Sequence, residues 1–215
     1  MGIGKWIAGG VTLAAAGGAV AFAQYRDIEK PAYEVVIADA AFELRQYNPM
    51  IVAEVTHSGS RRGTSSKSFR RLAAYIFGND RPEGGEEIAM TSPVISERVD
   101  QNGPIAMTSP VMSEATDEGE WRMRFVMPSE FTMDTLPTPP TDVTLTEVPG
   151  RQMAAISFSG NAPDSDLAAN EAKLIRWIEA QGLTPTGSIE YAFYDAPMIP
   201  GPLRRNEVMV EVAVQ

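Results

Sequence analysis

In each half of the chain, segments in which apolar and polar residues alternate are followed by one segment with a helical period. This order of strands and helix constrains the fold most. In "FELRQYNPMIVAEVTH" the alternation predicts a β-hairpin with its turn at Asn48-Pro49. "TSSKSFRRLAAYIFGND" then places apolar residues at i, i+3, i+4 and i+7, which predicts a helix. Its start is predicted to be capped by one of residues 64–66, and Gly78 is predicted to end it.

The same order recurs in the second half of the chain. "TDVTLTEVPGRQMAAISFSG" predicts two strands around a Pro149-Gly150 turn, and "DSDLAANEAKLIRWIEAQG" predicts a helix capped by Asp164 or Ser165 and ended by Gly182. "IEYAFYDAPM" and "NEVMVEVAV" predict two more strands. We therefore predict a pseudo-symmetric α+β domain whose two halves share one core, because either half alone would bury little surface.

One heptapeptide, IAMTSPV, occurs twice, at Ile88–Val94 and at Ile105–Val111. Turn-forming residues lie between the copies, so they are predicted to pair as neighbouring strands with Met90 and Met107 pointing inward. The segment "WRMRFVMP" that follows alternates cleanly, which predicts a strand with its tryptophan, methionines and phenylalanine inward and its two arginines outward.

Composition excludes several classes of function. The net charge is −10, so a nucleic-acid partner is not expected. The chain contains no cysteine, which excludes disulfides, thiol catalysis and thiolate metal sites. His57 is the only histidine, so a zinc site built on two or three imidazoles is excluded as well.

The first part of the chain has the pattern of a targeting segment. After one lysine, 18 uncharged residues end in an A-x-A pattern, so residues 1–23 are predicted to be a signal peptide or an N-terminal membrane anchor. In the second case residues 3–23 would attach the protein to a membrane. Residues 24–32 are predicted to be a linker and residues 33–215 the folded domain. Both interpretations predict a periplasmic or cell-envelope location.

No common catalytic motif is present. The sequence has no G-x-S-x-G, H-E-x-x-H or P-loop pattern, and no spacing among its carboxylates indicates a general base. His57 has the strand parity of Ala53 and Val55, which fits a structural histidine or, alternatively, a metal or heme ligand. Eleven methionines indicate a soft apolar interior that would suit a large flat ligand.

Several segments together resemble the SOUL/heme-binding protein family. They are "YEVV", "FELRQYNP", "FRRLAAYIFG", "IAMTSPV", "FVMP", "LPTPP", "ISFSG" and "YDAPMIPGPLRRNEVMV", which run in family order from Tyr33 to Val214. The resemblance implies a distorted β-barrel of two βαββ halves flanked by two helices. It also implies a non-enzymatic protein that binds heme or a related tetrapyrrole in an apolar pocket.

The resemblance further implies a site between the first long helix and the loop before the last strand. Some members of the family carry a histidine in the motif that reads "FELRQYNP" here, whereas this chain has Gln46, which is a poor iron ligand. Affinity is therefore expected to come mainly from apolar contact. The site residues that the resemblance implies are Phe69, Leu72, Ala73, Ile76, Phe77, Met198, Ile199 and Arg204.

Two other functions stay open from the sequence. The predicted fold also resembles the GyrI-like effector-binding module, whose members bind amphipathic small molecules and in some branches hydrolyse them. A glutamate inside the pocket would favour such an enzyme. The third alternative is a cell-envelope protein without a ligand, which a closed and fully packed core would favour.

Overall fold

The computed structural model describes residues 28–99 and 119–214, and this part of the chain forms ten β-strands and two α-helices. The helices are α1 (Arg61–Ile76) and α2 (Asp164–Ala180), and a short 3₁₀ turn spans Gly201–Leu203. The strands are β1 (Tyr33–Asp39), β2 (Phe42–Tyr47), β3 (Met50–Gly59), β4 (Val94–Val99), β5 (Gly119–Val126), β6 (Thr144–Val148), β7 (Arg151–Ser159), β8 (Leu183–Pro185), β9 (Glu190–Phe193) and β10 (Arg205–Val214). The predicted leader or anchor, residues 1–23, and the second heptapeptide lie outside the described residues.

All ten strands belong to one antiparallel sheet. Their order is β1-β2-β7-β10-β9-β4-β5-β3-β6, and β8 pairs with β10. The predicted closure into a barrel is wrong, because closure requires the two edge strands to hydrogen-bond and no pairing joins β1 to β6 in the described sheet. β6 has only 5 residues and turns away into β7 after Val148. The α+β class and the two helices are confirmed, whereas symmetry between the halves stays a prediction.

The two predicted hairpins are wrong in their pairing, although the strands and turns exist. β2 pairs with β7 and β3 pairs with β6, so each chain segment crosses from one part of the sheet to another. The β2–β3 and β6–β7 connections cross each other and are in contact at Gly150. A Cβ on Gly150 would lie 3.0 Å from the carbonyl oxygen of Tyr47 and 3.4 Å from Pro49 Cδ. Alternation and a turn signal locate a strand end, but they do not specify the partner strand.

Helix α1 begins earlier than the sequence predicts. Ser60 is its N-cap, and its Oγ accepts a hydrogen bond from the backbone N–H of Gly63 at 3.1 Å. The predicted cap within residues 64–66 is wrong, because Thr64 lies inside the helix and donates its hydroxyl to the Ser60 carbonyl. The predicted end is confirmed, since Gly78 follows the helix with φ of 73°.

Helix α2 begins without a side-chain cap. Its N-cap is Pro163, so Asp164 and Ser165 belong to the first turn and their prediction as caps is wrong. The Asp164 carboxylate still favours the helix, because negative charge near an N-terminus complements the helix dipole. Gly182, with φ of 69°, follows the helix as predicted.

Both helices pack on the same face of the sheet. One row of paired residues crosses it from Met123 through Ser96, Tyr191 and Val208 to Ile156. Paired residues share a face. Met123 belongs to the apolar cluster under α1, whereas Val208 and Ile156 belong to the cluster under α2. The helices therefore lie side by side above the sheet.

The opposite face of the sheet is lined with charged side chains. Arg122 and Arg124 lie on this face, opposite Met123, as predicted, but both are half-buried in ion pairs instead of standing free in solvent. Arg124 is 13% exposed and contacts Glu54 at 2.9 Å and Glu97 at 3.0 Å. A curled sheet has two covered faces, and alternation alone does not distinguish solvent from an interior of ion pairs.

The first heptapeptide copy is mostly not a strand. Only Val94 belongs to β4, and β4 pairs with β5 on one side and β9 on the other. The predicted pairing of the two copies as neighbouring strands is therefore wrong for β4, since both of its edges are occupied. Met90 is partly buried against the cluster under α1, as predicted, and Met107 lies outside the described residues.

Candidate functional site

The predicted helix residues divide into core and surface. Leu72 is 0% exposed and Ile76 is 1% exposed, and both pack against the sheet. Phe69 and Phe77 are exposed, and Ala73 is half-buried. Only the last three can touch a ligand without opening the core.

The predicted loop residues lie near the N-terminal end of α1. The loop is fixed by a 3.0 Å hydrogen bond from Gly160 N–H to the Gly201 carbonyl. Arg61, the first residue of α1, reaches the neighbouring Ala162 carbonyl. At 1.5 Å per residue, Phe77 lies about 24 Å along the helix from Arg61. The structure therefore does not bring Phe77 and this loop into one pocket.

Arg204 forms hydrogen bonds within the loop itself. Arg204 donates from Nε to the Ile199 carbonyl at 2.6 Å and from Nη2 to the Pro197 carbonyl. Met198 is 83% exposed, whereas Ile199 is half-buried. Two of the five N–H donors of the Arg204 guanidinium therefore bond the loop to itself, which fixes where the remaining donors could meet a ligand carboxylate.

His57 lies beneath α1, away from that loop. Its Nδ1 is 2.9 Å from Ser68 Oγ, and it pairs across the sheet with Trp121. Burial, together with the charge of Lys67, lowers the pKa of His57, so the imidazole is neutral near pH 7. Within the described parts of the chain no group of three or more His, Asp or Glu is placed to hold a metal ion.

A cluster between the two helices was not predicted from the sequence. It consists of Arg61, Trp121, Glu171, Tyr191 and Phe193, which we call the interhelical cluster. Trp121 stacks on Tyr191 with ring centroids 6.3 Å apart, and the Arg61 guanidinium lies 5.6 Å from the centre of the Phe193 ring. The Tyr191 hydroxyl lies 3.1 Å from Glu171 Oε2.

The surroundings of the interhelical cluster raise the pKa values of its acidic groups. Burial raises the pKa of Glu171 above its usual 4.5, against the opposing effect of the Tyr191 hydrogen bond. Burial and the neighbouring Glu171 carboxylate also raise the pKa of Tyr191. The Trp121 indole N–H is buried, and no residue of the described ranges accepts a hydrogen bond from it. A carboxyl group with a raised pKa beside aromatic rings is able to exchange protons or to contact a polar ligand atom.

A well-defined cavity lies elsewhere, where the β2–β3 and β6–β7 connections cross. Its volume is about 710 Å³, and we call it the end cavity. Its walls are mainly apolar, with charged groups at Glu29, Lys30 and Glu147. The sequence predicts none of it, because its walls come from five separate segments. The apolar lining comprises Pro31, Ala32, Pro49, Met50, Ile51, Val126, Met127, Pro128, Phe131, Met133, Val148 and Pro149.

Among the described residues, no helix is long and apolar enough to cross a membrane.

Comparison with known proteins gives a family and a fold. A family model described as SOUL heme-binding protein matches residues 28–211. No curated protein matches the sequence. The EcmrR C-terminal domain has a similar structure, with 12% identity and a TM-score of 0.57 over 85% of this chain and 99% of that chain. Compared with the EcmrR chain in its complex with DNA, the present chain covers 57% of the EcmrR length.

Two proteins from Listeria innocua are also similar in structure. An uncharacterized conserved protein matches with 15% identity and a TM-score of 0.57, over 80% of this chain and 92% of that chain. A protein described as a hydrolase matches with 14% identity and a TM-score of 0.55, over 83% of this chain and 94% of that chain. At such low identity these likenesses show the fold alone.

Proposed function

This chain belongs to the SOUL heme-binding protein family, and from this premise we propose that it binds heme or a related tetrapyrrole without catalysing a reaction. The observation that carries the proposal is the family match, which spans nearly every described residue. A cavity of about 710 Å³ with apolar walls supports it, because pockets for small ligands are usually apolar and of 300–1,000 Å³.

The donor set favours apolar binding over iron ligation. His57 is half-buried under α1 and engaged by Ser68, and Gln46 stands where some family members carry a histidine. Gln46 donates to the Tyr47 carbonyl at 3.3 Å. The thioethers of the end cavity are softer donors, and methionine serves as an axial heme ligand in some proteins. The described lining contains no histidine, tyrosine or cysteine, the other side chains that ligate heme iron.

Iron-free protoporphyrin IX is therefore expected to bind about as tightly as hemin. Both ligands are titrated into the full chain, and dissociation constants are taken from fluorescence quenching and from the Soret absorbance. His57→Ala is expected to leave the hemin affinity and the Soret position unchanged. A strict preference for hemin would show that iron is ligated, and a large Soret shift in His57→Ala would identify His57 as the ligand. If neither tetrapyrrole binds, the proposal fails and a protein without this ligand becomes the better description.

The interhelical cluster supports a second candidate function, the binding or hydrolysis of an amphipathic small molecule. The specific observation is Glu171, which shares a hydrogen bond with Tyr191 and has a raised pKa. A similar structure described as a hydrolase is consistent with this candidate, although the likeness shows only the fold. As a general base, Glu171 would take a proton from water while Trp121 and Tyr191 hold the apolar part of the substrate.

Hydrolysis of p-nitrophenyl butyrate tests this candidate. If Glu171 acts as the base, the rate should rise with pH through a value above 4.5 and should fall about 100-fold or more in Glu171→Gln. Tyr191→Phe is the matched variant that keeps the ring and removes the hydroxyl. Equal rates in wild type and Glu171→Gln, or no hydrolysis above the buffer rate, would exclude catalysis by this cluster.

A further inference from the structure

We infer that the tetrapyrrole is held in the end cavity, at the crossing of the β2–β3 and β6–β7 connections, and not on the surface of α1; this inference rests on the proposed function. The end cavity has a volume of about 710 Å³, is partly open to solvent and has mainly apolar walls. The family resemblance assigns no ligand to it.

The inner wall of the end cavity is apolar and buried. Val126 and Met127 are each 5% exposed, and Met50 and Ile51 begin the neighbouring strand β3. Phe131 adds an aromatic ring. A flat, largely hydrophobic ring system can bury most of its surface against such walls, and methionine side chains adapt to its irregular edges.

Backbone hydrogen bonds tie the walls to each other. Met127 N–H donates to the Ile51 carbonyl at 2.8 Å, and Asn48 N–H donates to the Ala32 carbonyl at 3.1 Å. The Ser129 N–H donates to a carboxylate oxygen of Glu29 at 2.9 Å. Three of the five wall segments are therefore bonded to each other, which limits the conformational entropy lost when a ligand enters.

The rim carries two carboxylates and one ammonium group, and only the ammonium group of Lys30 can pair with an acidic edge of a ligand. Lys30 is exposed, and no carboxylate of the described chain lies within ion-pair distance of its ammonium group. Glu29 is engaged by Ser129, and Glu147 is exposed to solvent, which screens its repulsion. Lys30 is thus available to a carboxylate of the tetrapyrrole, whereas Arg204 in the predicted loop is already bonded to two carbonyls.

The surface of α1 offers much less contact. Leu72 and Ile76 face the core, and the Phe69 ring is already packed edge-on against Phe125 with centroids 5.3 Å apart. A porphyrin lying on the outer side of a helix would leave one face in water. Because small-ligand sites usually bury 70–90% of the ligand surface, the end cavity is the better match.

Two charge variants with matched controls test the inference. Met133→Glu places a carboxylate at the rim of the end cavity, and Phe69→Glu places one on α1 at nearly the same exposure, 39% against 38%. Lys30→Glu is compared with Lys67→Glu, an exposed lysine on α1. The full-length variants are titrated with protoporphyrin IX and with hemin, and thermal melting is recorded with and without ligand.

We expect Met133→Glu to weaken binding of both ligands at least about tenfold, because its carboxylate would have to be desolvated against the ring. Lys30→Glu should weaken binding by about threefold or more and reduce the rise in melting temperature that ligand produces. Phe69→Glu and Lys67→Glu should stay within about twofold of wild type.

The outcomes separate the inference from the proposed function. If Phe69→Glu weakens binding and Met133→Glu does not, or if both do so equally, the end cavity is not the site, although tetrapyrrole binding stands. If the wild-type chain binds neither ligand, the proposed function itself is wrong. Should Met133→Glu fail to fold by its melting curve, the comparison of Lys30→Glu with Lys67→Glu decides.

Discussion

Replacing Glu207 by Gln is expected to lower the free energy of unfolding by about 3–5 kcal/mol, because the change leaves a buried arginine without its main counter-charge. Arg45 and Glu207 are both 0% exposed and form two parallel hydrogen bonds of 2.8 Å each. The Glu207 carboxylate also accepts hydrogen bonds from the hydroxyls of Tyr194 at 2.6 Å and Ser157 at 2.8 Å. Urea denaturation of the wild type and the variant measures the difference.

Glu211→Gln is the matched control on the same strand. Its side chain is 40% exposed and its ion pair with Arg151 is 3.4 Å long, so the loss should be at most about 1 kcal/mol. In the double variant Arg45→Met/Glu207→Leu both charges are removed, and part of the stability should return because no unpaired ion stays buried. If Glu207→Gln and Glu211→Gln lower the free energy of unfolding equally, burial does not increase the contribution of the Arg45–Glu207 pair.

The same carboxylate should make stability depend on pH. Burial alone would raise the pKa of Glu207, but the hydrogen bonds and charge of Arg45, with Tyr194 and Arg205, hold it at about 2. A depressed pKa stabilises the folded state above the unfolded value of 4.5, and this contribution is lost as pH falls towards 2. The stability difference between wild type and Glu207→Gln should therefore shrink over that interval.

Local sequence patterns predict the elements well, because they depend on residues within one or two turns. The i, i+3, i+4, i+7 pattern around Leu72 locates α1, and the glycines that follow α1 and α2 have the positive φ that their prediction requires. The predicted starts of both helices were wrong, because Ser60 lies nine residues before the apolar pattern begins at Phe69, and Pro163 caps α2 without a side-chain bond.

The sheet is harder to predict, because its pairing depends on residues far apart in sequence. Arg45 and Glu207 are 162 residues apart, and nothing in "FELRQY" indicates that its arginine is buried. Alternating polar residues predict a solvent face, whereas here they form a second interior of ion pairs. The crossing of the β2–β3 and β6–β7 connections has the same origin, since a turn signal does not indicate which strand follows as partner.

Apart from His57, candidate site residues were predicted only where the family resemblance supplied them. The sequence gives no signal for the end cavity, whose walls combine a linker, two connections and the ends of β3 and β5. The interhelical cluster has a weak signal: Glu171 and Tyr191 are polar groups within a predicted helix and strand. Their contact depends on how α2 lies across β9, which periodicity does not specify.

Leu72→Ala is expected to lower the free energy of unfolding by about 2–5 kcal/mol while leaving protoporphyrin affinity unchanged in the folded protein. Leu72 is 0% exposed within the cluster under α1, so the substitution leaves a cavity that its neighbours fill only in part. Phe69→Ala is the control on the adjacent, exposed position. It should cost about 1 kcal/mol, mainly through its edge-on contact with Phe125.

Denaturation curves and ligand titrations on these two variants distinguish a core residue from a binding residue. If tetrapyrroles contacted the predicted face of α1, Phe69→Ala would weaken binding strongly, and Leu72→Ala would weaken it in addition to lowering stability. If the ligand lies in the end cavity, Leu72→Ala should lower stability and Met133→Glu should lower affinity. Phe69→Ala should change neither by much. Reduced affinity in a Leu72→Ala protein that melts like the wild type would therefore return the site to α1.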